Sequence, residues 1–247
     1  MICLIFTIEH KQLKILIIGG NGGIGKAIIR HITTTFPDAV IYATYHSTLP
    51  EVKQSNITWF KTNASLDADV KQLAEQISNL DILINTAGFL HDATHRPEKS
   101  VNEFTPEFFN QNLNSNTLPT LLLAKHFSTH LKAKQQTYFI SLSARVGSIE
   151  ENRLGGWISY RCSKAALNMA IKTISIEWKF KLPNCCVFAF HPGTTDTQLS
   201  KPFQKNVPQN KLFTADYVSQ QLFNIISQVR PSDTGKFYSF NGEELPW

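Results

Sequence analysis

Tyr160 and Lys164 stand four residues apart in Tyr160-Arg161-Cys162-Ser163-Lys164, within a stretch of helical periodicity. On a helix that spacing puts both side chains on one face, so a phenol and an ammonium project to the same side. A phenol with an intrinsic pKa of about 10 is a poor acid–base catalyst at neutral pH. A neighbouring ammonium favours the phenolate and is expected to lower that pKa. The pair could then exchange a proton with a substrate oxygen.

A second group of residues suits phosphate binding. Gly19-Gly20-Asn21-Gly22-Gly23-Ile24-Gly25 directly follows the apolar run Leu13–Ile18 and opens a helical pattern. Glycines there allow a tight turn and let the backbone approach a pyrophosphate. The helix N-terminus adds unpaired N–H groups and a partial positive charge. Other candidates are weaker. His91 and His95 have the spacing of a metal pair, but sit in a loop ended by Pro97 with no third ligand, so no metal is expected. The four cysteines form no Cys-x-x-Cys and read as reduced packing thiols. Trp157 and the aromatic residues of the Trp178–Phe180 segment read as packing.

The elements that must hold these groups alternate along the chain. Strands are expected at Leu13–Ile18, Ala39–Thr44, Ile57–Phe60, Asp81–Asn85, Tyr138–Leu142, Cys185–Phe190 and Lys236–Phe240. Helices are expected at Gly25–Thr34, Asp67–Leu80, Pro106–Lys134, Ser159–Phe180 and Thr214–Gln228. Such alternation implies βαβ units and a doubly wound α/β fold. About seven parallel strands would form the middle of three layers, with helices on both faces. Ligands of such sheets bind beyond the carboxyl ends of the strands.

The chain has 247 residues, 42% hydrophobic and 17% charged, which fits a globular domain and excludes disordered and fibrous classes. One domain over residues 1–247 is expected, with residues 1–11 an extension or a ragged start. That apolar start lacks a basic flank and is too short for a membrane span, and no other run is long enough. A soluble, cytoplasmic protein is the expectation. The net charge of +5 comes from thinly spread Lys and Arg without a basic stripe, which argues against a nucleic-acid partner.

The glycine spacing Gly19-x-x-x-Gly23-x-Gly25 resembles the fingerprint of the short-chain dehydrogenase/reductase superfamily, a Rossmann-type fold. It departs in one place: Ile18 stands where the family usually has Thr. Asn85-Thr86-Ala87-Gly88 resembles the family's Asn-Asn-Ala-Gly. Asn63 stands where an Asp beside the adenine is common. Pro192-Gly193-Thr194-Thr195-Asp196-Thr197 resembles the loop that holds the nicotinamide. The resemblance therefore implies cofactor contacts from Gly19, Gly20, Gly23, Ile24, Gly25, Asn63, Asn85, Ala87, Gly88, Pro192, Gly193, Thr195 and Thr197, together with Tyr160 and Lys164. After the second strand, Thr44-Tyr45-His46-Ser47 has no acid to engage a free ribose 2′-hydroxyl, so His46 and its neighbours favour NADP(H) over NAD(H).

The same resemblance implies a catalytic Ser, an Asn and the Tyr-x-x-x-Lys pair. In Ser141-Leu142-Ser143-Ala144-Arg145-Val146-Gly147-Ser148, the family's serine position falls on Ala144. A one-residue shift in strand register would give the role to Ser143, with Ser148 next. Among Asn112, Asn114 and Asn116, the stretch Asn116-Thr117-Leu118-Pro119 favours Asn116, which would complete a proton relay to Lys164. Ser-Ala-Arg-Val-Gly-Ser-Ile, His-Pro-Gly-Thr-Thr-Asp-Thr and the ending Asn-Gly-Glu-Glu-Leu-Pro-Trp resemble the C-factor and sniffer-like carbonyl reductases. They imply NAD(P)-dependent reduction of a small ketone or aldehyde, or the reverse alcohol oxidation. The stretches Ala144–Ile158 and Gln198–Phe213 would shape the substrate pocket. The family's habit of pairing its two long helices implies a homodimer or homotetramer. Two other readings stay open: a nucleotide-sensing or signalling protein with weak catalysis, suggested by Ala144, and an extended-type epimerase or dehydratase.

Overall fold

The computed structural model describes residues 12–247 apart from Lys53; the apolar start and Cys3 lie outside the described residues. The chain begins with β1 (Lys14–Ile18), α1 (Gly23–Thr35), β2 (Val40–Tyr45), β3 (Ile57–Lys61), α2 (Asp67–Glu75) and β4 (Ile82–Asn85). Next come α3 (Pro106–Asn116), α4 (Leu118–Phe127), β5 (Thr137–Leu142), α5 (Ile158–Lys181) and β6 (Cys185–His191). Two-residue strands β7 (Thr194–Thr195) and β8 (Leu212–Phe213), then α6 (Ala215–Ile226) and β9 (Lys236–Ser239), close the order.

Seven strands form one parallel sheet in the order β3-β2-β1-β4-β5-β6-β9. The chain winds outward from β1 to β3, then returns to lay β4 on the other side of β1. That reversal opens a crevice at the carboxyl ends of β1 and β4, where the glycine loop and Asn85-Thr86-Ala87-Gly88 emerge.

Alternation of side chains along each strand divides the core in two. Ile15, Ile17, Ile82, Ile84 and Phe188 pack with Ile28 of α1 and Phe223 of α6. Leu16, Ile18, Leu83 and Phe139 pack on the opposite face with Leu73 of α2, Phe127 of α4 and Trp178 of α5. Cys185 and Cys186 fall on opposite faces, each a buried thiol. Burial pushes the Cys185 thiol up to about 12.

Several boundaries differ from the sequence expectation. The helical stretch expected over Pro106–Lys134 is two helices broken at Thr117, because Pro119 lacks the amide hydrogen that would continue the ladder back to Ser115. α4 stops at Phe127 and turns carry the chain on to Leu131, which is buried. α2 ends at Glu75, where Gln76 donates to Leu73 O and tightens the last turn. α1 starts two residues earlier than expected, so Gly23 and Gly25 lie in its first turn. Among the described residues no helix is long and apolar enough to cross a membrane.

Candidate active site

The turn after β1 is held by backbone and by two threonines from neighbouring strands. Gly22 N–H donates to Gly19 O at 2.9 Å, and Gly19 adopts φ +75°. Gly19 N–H donates to Thr44 Oγ1 at 2.9 Å, while Thr86 Oγ1 donates to Ile18 O at 2.7 Å. Thr44 and Thr86 thus supply the hydroxyls that Ile18 cannot. The helix must also pass close to the turn: a Cβ on Gly25 would stand 2.3 Å from Gly19 O, and one on Gly23 would stand 2.7 Å from Thr197 Cγ2.

This turn forms one wall of a cleft of about 500 Å³, whose other walls are Thr44–Thr48, Thr62–Ser65 and Thr86–Phe89. Gly19, His46, Asn63, Ala87 and Gly88 line it. Asn85, at the end of β4, is buried behind it, accepting from Ala87 N–H at 3.0 Å and donating to Thr120 Oγ1 at 3.0 Å. Gly20 faces the core instead, its missing Cβ leaving room for Ala43. Asn63 holds its loop by accepting from Ser65 N–H, and His46 is exposed at the rim. A cradle of backbone N–H groups free of Cβ atoms, beside a helix N-terminus and with no carboxylate among the residues lining it, fits an anionic dinucleotide.

Tyr160 and Lys164 sit on the first two turns of α5, 8% and 3% exposed, with Lys164 Nζ 5.8 Å from the centre of the phenol ring. Lys164 donates to Leu142 O at 3.0 Å. Gly147 permits this close packing: a Cβ there would meet Lys164 Cβ at 2.7 Å. Burial pushes the Lys164 ammonium down to about 8. Burial also pushes the Tyr160 phenol above its ordinary value. The expected lowering of the phenol is therefore not what the protein alone provides, because desolvation of both groups favours their neutral forms.

Asn116, the last residue of α3, is fully buried. It accepts from Phe89 N–H at 2.7 Å and donates to Phe89 O and to Ser163 Oγ, both at 2.9 Å. A Cβ on Gly88 would lie 3.6 Å from Asn116 Oδ1 and 3.8 Å from Lys164 Nζ, so these groups converge at the cleft floor. Asn112 is buried one turn earlier, and Asn114 is exposed.

The serines are engaged elsewhere. Ser143 Oγ donates to Asn168 Oδ1 of α5 at 2.5 Å. Ser148 Oγ donates to Trp247 O at 3.2 Å and accepts from Glu151 N–H. Ser143, Ala144 and Tyr160 line a second cavity of about 260 Å³, together with Ile24 and the Pro192–Thr195 segment. Thr195 is buried, with its hydroxyl near Pro192 O and Gly193 O at 3.4 Å, and Thr197 also faces this cavity. Gly193 adopts φ +71°, and a Cβ there would meet the Phe213 ring at 2.8 Å.

Trp157, read as packing and carried by the Ala144–Ile158 stretch expected to shape the pocket, lines the cavity with its ring centre 5.1 Å from that of Phe203 and 6.2 Å from that of Tyr160. Val146, Leu199 and Val207 complete this apolar wall, and they come from the two stretches expected to shape it. Trp178 is core, its ring edge-on to Phe139, whereas Phe180 is exposed.

Two further groups lay outside the sequence reading, Glu98 buried and His191 partly buried. Glu98, in the loop before α3, accepts from Ser159 N–H at 3.3 Å and from the Ser159 hydroxyl. His191, at the end of β6, accepts at Nδ1 from Arg145 N–H at 3.3 Å. Burial and then the Arg145 charge push its imidazole down to about 3. No sequence pattern marks Glu98, since an acid in a polar loop looks solvated. His191 stands immediately before Pro192-Gly193, and that adjacency was the available signal.

A family model described as short chain dehydrogenase matches residues 13–208. An uncharacterized oxidoreductase of Saccharomyces cerevisiae is 27% identical over 252 residues, covering 95% of this chain and 97% of that one. Among solved structures, an NADPH-bound carbonyl reductase from chicken fatty liver superposes with a TM-score of 0.84 at 23% identity, covering 97% of this chain and 96% of that one. The carbonyl reductase Sniffer of D. melanogaster superposes with a TM-score of 0.82 at 22% identity, covering 96% of this chain and all of that one (100%).

Proposed function

The chain belongs to the short-chain dehydrogenase family, and from that premise we propose that it reduces a ketone or aldehyde with NADPH, using Tyr160 as the acid. The observation that carries this reading is the placement of Tyr160 and Lys164. Tyr160 faces the apolar cavity, and Lys164 Nζ lies between the phenol and Gly88 of the nucleotide cleft.

The glycine turn, Asn63, Ala87, Gly88 and the Pro192–Thr197 loop would hold the cofactor, with Asn85 fixing the backbone behind Ala87. When bound, NADPH supplies a hydride to the carbonyl carbon. Tyr160 gives its phenolic proton to the carbonyl oxygen, so hydride and proton together yield the alcohol. Burial keeps that proton on Tyr160 until it is needed. The Lys164 ammonium favours the phenolate left behind. Reprotonation of Tyr160 would then run through Lys164, which is resupplied past Asn116 at the end of α3, whose amide donates to the Ser163 hydroxyl of α5. Ser143 reaches the cavity, but its proton is committed to Asn168.

NADPH is favoured over NADH because His46 and its neighbours offer the 2′-phosphate no opposing carboxylate. The NADPH in the chicken liver carbonyl reductase supports the same preference. Exposed Leu121 on α4 and Met169, Ile176 and Phe180 on α5 support pairing of these helices in a homodimer or homotetramer.

Loss of reduced-nicotinamide absorbance against a panel of aldehydes, quinones and diketones tests the activity. Tyr160→Phe should lower turnover by about 10²-fold or more while leaving NADPH binding intact. Full activity in that variant would sink the mechanism. Tight NADPH binding with no turnover across the panel would favour a nucleotide sensor.

A further inference from the structure

Carbonyl reduction puts negative charge on the substrate oxygen, and one donor beyond the proton-giving acid stabilises it. The family resemblance assigns that donor to a serine, yet position 144 is alanine, and the hydroxyls of Ser143 and Ser148 donate to Asn168 and to Trp247 O. His191 lines the same cavity as Tyr160, at its border with a neighbouring one. Its Nδ1 accepts from Arg145 N–H, which places the imidazole against the residue that follows Ala144.

That contact also fixes the proton. A neutral imidazole carries one N–H, and an Nδ1 that accepts leaves the hydrogen on Nε2. No described residue accepts from His191 Nε2, so this N–H is free to meet a ligand. Burial and the Arg145 charge keep the ring neutral. A neutral imidazole can polarise a carbonyl without competing with Tyr160 as the acid.

We infer that His191 is a catalytic residue whose Nε2–H donates to the substrate's carbonyl oxygen, in the role that a serine hydroxyl plays in relatives. This rests on the carbonyl-reduction reading. The hydrogen bond strengthens as the oxygen gains charge and transfers no proton; the proton still comes from Tyr160.

The test begins with an aldehyde or diketone that the wild-type protein turns over. Absence of any turnover would end the carbonyl-reduction reading and this inference together; the remaining outcomes concern His191 alone. His191→Phe should lower kcat by about 10²- to 10³-fold, with NADPH binding, followed by fluorescence, and thermal stability near wild type. His191→Gln, which keeps an N–H donor, should stay within about tenfold of wild type. Adding Ala144→Ser to His191→Phe should recover part of the loss. An unchanged kcat in His191→Phe, or equal losses in the Phe and Gln variants, would overturn the assignment. Should His191→Phe fail to fold, nitrogen NMR of the wild-type ring decides: a pyrrole-type Nε2 supports the inference and a pyrrole-type Nδ1 ends it.

Discussion

Glu98 and Ser159 lie 61 residues apart in the chain and meet at the first turn of α5, where the Glu98 carboxylate accepts from both the Ser159 N–H and its hydroxyl. α5 has no side-chain cap of its own; its N-cap is Trp157, in the left-handed region at φ 53°. Glu98 O also accepts from Trp157 N–H at 2.5 Å. The helix that carries Tyr160 is therefore started by an acid from another loop. That acid satisfies an orphan N–H and opposes the positive end of the helix dipole.

Glu98→Ala should cost about 1.5–3 kcal/mol of stability, the range for hydrogen bonds to a charged group. Denaturant unfolding measures it. Glu98→Gln, which keeps an acceptor for Ser159, should lose less. A loss in Glu98→Ala below about 0.5 kcal/mol would show that the cap contributes little.

The Lys164 environment gives a pH dependence. With its ammonium pushed down to about 8, Lys164 loses its charge as pH rises through that value. The rate of carbonyl reduction at saturating NADPH should therefore hold below pH 8 and fall above it. Stability moves the other way. The unfolded chain keeps the Lys164 proton up to 10.5, so between about 8 and 10.5 it binds more protons than the folded chain, and this group's contribution rises with pH. Stability against pH in wild type and Lys164→Met isolates the effect; parallel curves would refute it.

Gly25→Ala should weaken NADPH binding by at least about tenfold, or prevent folding, because the new Cβ meets the backbone of Gly19 and Gly20. Gly23→Ala should be milder, since the atoms its Cβ would crowd most are those of the Thr197 side chain. Adding Thr197→Ser, which removes Cγ2, should restore much of the binding. Fluorescence titration with NADPH ranks the three proteins.

His46→Asp should shift cofactor preference. A carboxylate at the rim of the cleft would repel a 2′-phosphate and suit a free 2′-hydroxyl. NADPH affinity should fall by about tenfold while NADH affinity holds or improves. Titration of both reduced cofactors checks this, and an unchanged ratio would remove His46 from the recognition of that end.

Much of this was legible along the chain. Strand alternation, the glycine turn and Tyr160-x-x-x-Lys164 are local patterns, and the parallel sheet, the cleft at β1 and β4 and the shared helix face follow from them, whereas the strand order was not read from the sequence. Boundaries were less legible where a helix ends by a change in hydrogen bonding, as at Gln76, or where a proline interrupts a continuous apolar pattern, as at Pro119.

By itself the sequence determined the α/β winding and the residue types at the ends of the strands, because periodicity and short spacings are properties of neighbouring positions. Tertiary structure decided which partner each group meets. Ser143 turned to Asn168, Thr44 and Thr86 supplied the hydroxyls missing at Ile18, Glu98 started α5, and Arg145 fixed the tautomer of His191. It also decided that burial keeps the Tyr160 phenol protonated. Each of these depends on contacts between residues distant in sequence, and on desolvation, which acts only once the chain has closed around the group.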